Sequence, residues 1–252
     1  MGSHTKQLLR RVGANLVLLL AFQLQAVAGS FGVSPIRIDL DRSARNGAIA
    51  VTNDEDGAPL RTQLRLYEWT QDASGKDEYR ESEDLLYFPR LMALEKGEQK
   101  LVRVGLRVPA TTQEKTYRLF IEELPSPPPP GAAPGARVAI AVRFGVPVFV
   151  KPMNEDIRGV IEKLELTKGS LRVVVRNAGN VHFTINAIAI ASGDAHVKEV
   201  SGWYLLAGAM REHAIELPAE TCGGLKRLDV TVKTDKSEFK DALDVNASMC
   251  KR

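Results

Sequence analysis

Hydrophobic residues in this chain alternate with polar ones over short stretches and almost nowhere recur at helical spacing; a period of two is the mark of half-buried β-strands. Runs near 34–40, 48–53, 61–69, 87–92, 101–108, 116–124 and 137–150 carry the pattern, separated by Gly, Asn, Asp and Pro, the residues that punctuate turns. A second series follows near 159–166, 171–177, 183–190, 213–217, 228–234 and 242–247. Seven short strands suit an immunoglobulin-like sandwich. The pattern therefore predicts an all-β chain of two immunoglobulin-like β-sandwich domains, the first over 29–152 and the second over 153–252, with the break just after Lys151-Pro152.

One strand stands out. Val138, Ile140, Val142, Phe144, Val146, Val148 and Val150 share one face, so that about 13 residues at 3.3 Å each would make a strand of roughly 40 Å, against a usual 17–20 Å. Before it runs a segment with Pro125, Pro127 to Pro130, Gly131, Pro134 and Gly135, which cannot donate to a ladder and should be extended and exposed. Pro147 inside the run removes another donor and marks an edge. A long apolar edge is an aggregation hazard unless it is meant for a partner. The expectation is that the strand is lent to another β protein, Val138, Ile140, Val142 and Phe144 filling its pockets; burying three such side chains contributes about 5–8 kcal/mol before association costs. An uncovered edge also offers itself to a second copy of the chain, so self-association through it is part of the expectation.

Residues 1–28 read as a secretory signal: Lys6, Arg10 and Arg11, then the apolar Leu16 to Phe22, then Ala26-Val27-Ala28, a small-residue cleavage site. No later stretch reaches the roughly 18 apolar residues of a membrane span, so no membrane insertion of the mature chain is expected. The leader holds three of the 34 basic residues and none of the 31 acidic ones. What remains is balanced, which argues against nucleic-acid binding. Cys222 and Cys250 are the only cysteines, and in an oxidising compartment they predict one disulfide worth on the order of 3 kcal/mol for a loop of about 28 residues. His4, His182, His196 and His213 are scattered without ligand spacing or a nucleophile motif; they read as surface or loop histidines. Asp54, Glu55 and Asp56 read as a solvated turn. No enzyme activity, metal or cofactor is expected.

Further segments carry a resemblance. They are Ser34-Pro35-Ile36-Arg37-Ile38; Asn53 through Pro59-Leu60 to Gln63 and Trp69; Phe88-Pro89-Arg90-Leu91-Met92-Ala93-Leu94, then Gly97, Gln99 and Val102-Arg103-Val104; Tyr117-Arg118-Leu119 leading to Glu122-Glu123-Leu124-Pro125; Val146 to Pro152; and Asn177-Ala178-Gly179-Asn180 with Leu205-Leu206-Ala207-Gly208. In order and spacing they resemble the PapD-like periplasmic pilus chaperones, and the Gly-Val-Pro-Val-Phe strand end is similar to the archaic branch. The resemblance implies a boomerang of two immunoglobulin-like domains in the periplasm, binding pilin subunits through the long edge strand and passing them to an outer-membrane usher. It also implies two basic residues that anchor the subunit's terminal carboxylate. Arg37 matches the first, but the second family position falls on Pro147, which cannot bind a carboxylate. Arg118 and Arg143 are the substitutes expected here. The resemblance further implies an interdomain ion pair between Glu114 and Lys151.

The competing class is a secreted adhesin or pilus subunit. Such a subunit would carry an alternating N-terminal arm and lack its own seventh strand, whereas 29–33 is too short for an arm and the seventh strand is present.

Overall fold

The structure, a computed structural model, describes residues 31–54, 59–110, 112–125 and 140–250. Residues 1–28, Val138, Glu55 and Asp56 lie outside the described residues. Among those described, no helix is long and apolar enough to cross a membrane.

The first half folds as two facing sheets. One holds β1 (Phe31–Ser34), β3 (Asn46–Asn53), β8 (Gln99–Leu106) and β6 (Leu85–Phe88), in the order β1-β3-β8-β6. The other runs β2 (Ile38–Leu40), β10 (Arg143–Val150), β9 (Lys115–Glu123), β4 (Leu60–Gln71), β5 (Asp77–Glu81), with β7 (Leu91–Leu94) also on β4. Their inner faces meet in a core that includes Ile49, Val102, Leu64, Leu119, Ile121, Val146 and Val148. Each such side chain contributes about 1.5–3 kcal/mol on burial.

Two strands expected as continuous are split. The run at 34–40 becomes β1 in one sheet and β2 in the other, and that at 87–92 becomes β6 and β7, again in different sheets. A proline lies at each crossing, Pro35 and Pro89, both after cis peptide bonds. With no N–H to give, proline cannot donate to a ladder at these crossings.

The second half repeats the architecture. One sheet has the order β11 (Gly159–Thr167), β12 (Ser170–Asn177), β16 (Met210–Glu216). The other runs β14 (Ala195–Val200), β13 (Phe183–Ser192), β17 (Arg227–Thr234), β18 (Glu238–Asp244), with β15 (Tyr204–Leu205) on β13. A one-turn helix α1 (Ala219–Cys222) and a 3₁₀ turn (Ala247–Cys250) complete it, joined by the Cys222–Cys250 disulfide with Cα atoms 5.7 Å apart.

The two sandwiches are fastened to each other. Gln71 donates to Tyr204 O at 2.9 Å and accepts from Leu206 N–H at 3.0 Å. Arg211 donates to Gly75 O, and a Cβ on Gly75 would meet the Arg211 side chain at 2.8 Å; with φ at +79° the position suits glycine twice over. Asn180 O accepts from Glu114 N–H at 2.9 Å, while Asn180 Nδ2 donates to Thr112 O at 2.8 Å.

Candidate functional site

Strand β10 is paired unequally on its two sides. Against β9 all eight residues are matched, from Arg143 opposite Glu122 to Val150 opposite Lys115. On the other side β2 runs parallel and covers only Val148 to Val150. Arg143 to Pro147 therefore present an open edge among the described residues. The phase of that edge follows from its ends: Glu123 N–H donates to Val142 O at 2.9 Å, and Lys151 N–H donates to Leu40 O at 2.9 Å. Even-numbered backbone groups thus face β9, and the odd ones, Arg143, Gly145 and Pro147, face outward. Pro147 sits where a ladder can spare its donor.

The side chains divide along the strand. Val146, Val148 and Val150 are fully buried, Phe144 is partly buried against the same core, Val142 is half-buried, and Ile140 is 81% exposed. The apolar alternation outruns the domain's own core. The regular strand, however, starts at Arg143 and leaves out Ile140 to Val142. Strand β9 ends at Glu123, and past it only Val142 finds a partner, its N–H on Glu123 Oε2 at 3.1 Å. A lone extended segment without a neighbour has no ladder to hold it.

The opposite face of this sheet carries the cations. Arg118 is 9% exposed, its guanidinium 4.0 Å from the Trp69 ring centroid and 5.6 Å from that of Tyr204. Its Nη1 donates to Gly145 O at 3.1 Å, and its buried Nε has no hydrogen-bond partner among the described residues. No carboxylate pairs with it among the described residues. Arg37 lies 4.8 Å from the Phe149 ring centroid and is engaged by Asp39, through Nε at 2.8 Å and Nη2 at 2.7 Å. Burial pulls the Arg37 pKa down, but the hydrogen bond and charge of Asp39 outweigh it and hold the guanidinium above its ordinary value. Trp69 and Phe149 are 6.1 Å apart and, with Leu206, form a buried cluster between the sandwiches. Arg37 and Arg118 thus flank one aromatic cluster beside the open edge.

Arg143 is placed differently. It is half exposed and bound to Glu122 at 2.7 Å, lying over Phe120 at 3.7 Å. It belongs to the rim, and its charge is already matched.

The expected Glu114–Lys151 pair does not form. Glu114 is 6% exposed and accepts from His182 N–H at 2.8 Å, with His182 Nδ1 2.7 Å away. Lys151 pairs with Glu155, one linker turn on, at 3.1 Å. A buried carboxylate is well served by a fixed backbone donor, while Lys151 at the strand end keeps its ammonium near solvent. Glu114 still bridges the domains, through a histidine expected on the surface. His182 is instead fully buried and stacked on Phe149 at 3.6 Å with planes 9° apart. The periodicity held a signal for this: His182 directly precedes the buried Phe183 and follows the Asn-Ala-Gly-Asn turn, so it starts a core strand at the junction. His213 is also partly buried, and burial first, then the charge of Arg211, pushes its pKa down.

Comparisons with known proteins agree with this architecture. The solved structure of the CsuC–CsuE chaperone–tip adhesion subunit pre-assembly complex from archaic Csu pili of Acinetobacter baumannii matches with a TM-score of 0.58 at 16% identity, over 86% of this chain and 98% of that one. The Escherichia coli chaperone DraB matches with a TM-score of 0.51 at 16% identity, over 86% and 97%. The Salmonella enterica SafA pilin–SafB chaperone complex gives 0.52 at 16% identity, over 86% and 97%. These likenesses show the fold, two immunoglobulin-like domains. No curated protein matches the chain in sequence. Residues 30–155 match the family described as pili and flagellar-assembly chaperone, PapD N-terminal domain, and that match spans every strand of the first sandwich, including the open edge: the chain belongs to this family of pilus-assembly chaperones.

Proposed function

We propose that this chaperone captures pilin subunits in the periplasm by adding the open side of β10, with the segment from Val138 onward, to an incomplete subunit sheet, and then delivers them to an outer-membrane usher. In this reading residues 1–28 direct export, 29–152 form the capturing domain and 153–252 brace it. The observation that carries it is the unequal pairing of β10, open from Arg143 to Pro147 and closed by β2 only at Val148 to Val150.

The polarity of the partner strand follows. A strand lying beside 143–147 and parallel to β10 runs toward the start of β2 and ends there, beside Arg37 and Arg118. An antiparallel strand would bring an amino group to the same two cations. The two cations, Arg118 buried and Arg37 partly so, thus favour a parallel strand with its terminal carboxylate in the cleft. Arg118 is the principal anchor, because Arg37 is already held by Asp39 and Arg118 has no such partner among the described residues. Arg143 contributes only to the rim.

The test is co-expression with secreted pilins encoded nearby, followed by pull-down from periplasmic extracts. The wild type should recover a pilin that is insoluble alone; Arg118→Met should lose it, and Arg37→Ala should lose most of it while remaining folded. Full recovery by the Arg118 variant would remove that residue from the site, and no pilin in the wild-type pull-down would count against edge capture.

A further inference from the structure

The outward edge of β10 is partly stoppered by the chain itself. Of its three outward-facing residues, Arg143 keeps both backbone groups, Pro147 has no N–H, and Gly145 has its carbonyl taken by Arg118 Nη1 at 3.1 Å. That carbonyl is the acceptor an added strand would need, and although a second lone pair remains, the guanidinium lies in the way of the approaching strand. Gly145 is itself constrained: a Cβ there would lie 2.8 Å from the Phe120 ring, so the backbone stays bare at the position the guanidinium covers. Arg118 is meanwhile a buried cation with an unpartnered Nε and aromatic faces for neighbours. It is held by neutral groups, Gly145 O and the neighbouring Tyr79 hydroxyl, with no carboxylate on it among the described residues.

We propose that Arg118 is a displaceable plug on the donor edge, so that the chaperone admits strands ending in a free carboxylate and turns away internal β-segments. The idea rests on the edge-capture reading and adds a gate to it. A carboxylate can take two parallel N–H bonds from the guanidinium and adds the attraction of a full negative charge, neither of which a single neutral carbonyl offers. An arriving chain end therefore draws the guanidinium off Gly145 O, and the freed carbonyl accepts an N–H from the same strand. A segment without a terminal charge has to displace Arg118 and leave a desolvated cation with no acceptor.

The gate predicts a change of sign that an anchor alone does not. Two peptides of about ten residues, alternating valine and threonine, one ending in carboxylate and one in carboxamide, are titrated into the mature protein carrying Trp203→Phe, so that Trp69 fluorescence is the readout. The wild type should prefer the acid by about tenfold. Arg118→Met, which keeps an alkyl chain against Trp69, should bind the amide more tightly than the wild type does and lose the preference. An amide affinity that is unchanged or weaker in the variant would overturn the gate while leaving the anchor standing. If the wild type binds neither peptide, edge capture and the gate fall together. Nuclear magnetic resonance of the wild type gives a readout independent of the variant's folding: the Arg118 Nε–H and Gly145 carbonyl signals should move with the acid and stay with the amide, and equal movement with both would also defeat the proposal.

Discussion

Arg176 on β12 and Arg118 on β9 are both strand arginines of immunoglobulin-like sandwiches, yet their surroundings differ in kind. Arg176 holds Glu162 through Nε at 2.6 Å and Nη2 at 2.9 Å, and its neighbours repeat the arrangement, Arg172 with Glu212 at 2.5 Å and Lys163 with Glu165 at 2.8 Å. Every one of these cations is solvated and matched. Arg118 is buried on Trp69 and meets a backbone carbonyl and the Tyr79 hydroxyl but no carboxylate among the described residues. Exposed ion pairs contribute little and are screened by salt, so these matched cations have little to offer an arriving anion. A desolvated cation without a counter-ion costs the fold something and is worth keeping where an anion will arrive.

That contrast can be broken by giving Arg118 a carboxylate of its own. Pro147 lies directly across from Arg118. Pro147→Glu should pair with it internally and abolish pilin recovery although both candidate anchors remain; pull-down at equal expression checks this. Next in size is the disulfide. Replacing Cys222 and Cys250 by serine should destabilise the second sandwich by about 2–4 kcal/mol and leave the first untouched, as urea unfolding followed separately in each domain would show. Glu114→Gln weakens the buried bridge to His182 and should cost about 1–3 kcal/mol, with looser domains visible by small-angle scattering.

A smaller effect is set by pH. The His213 pKa is depressed in the folded state by burial and Arg211, so the unfolded chain binds the proton more readily. Its contribution is complete above the ordinary histidine pKa of about 6.5 and is lost as pH falls through the lower folded value. His213→Asn should flatten that part of a stability–pH curve. Last, Arg176→Met should change neither pilin recovery nor melting temperature measurably; a loss of recovery would erase the distinction between the two arginines.

The alternation of apolar residues was enough to locate most strands and to single out β10, because half-buried sheets impose a period of two directly on the chain. The Cys222–Cys250 bridge was equally legible from compartment and count. Strand β5, Asp77–Glu81, was not, since it is an edge of mostly exposed polar residues with no face to reveal it. The sheet changes at Pro35 and Pro89 escaped because alternation continues across them while the hydrogen-bond partner changes. In the site, Arg37 and Arg118 were both visible as cations near the expected edge, but that one is ion-paired and the other is not depends on Asp39 and on the absence of any acid across from Arg118. The Glu114–His182 contact joins residues 68 apart, and nothing local announces it.

The graded exposure from Val146 to Ile140 divides one pattern between two owners. Substitutions at Val146, Val148 or Val150 disturb the protein's own interior, whereas Ile140 lies outside it and Val142 only borders it. In the proposed edge-capture reading, preference for a client can therefore be retuned at the exposed end with little penalty to self-folding, which makes this stretch the natural place to swap side chains when redirecting the chaperone to a different pilus.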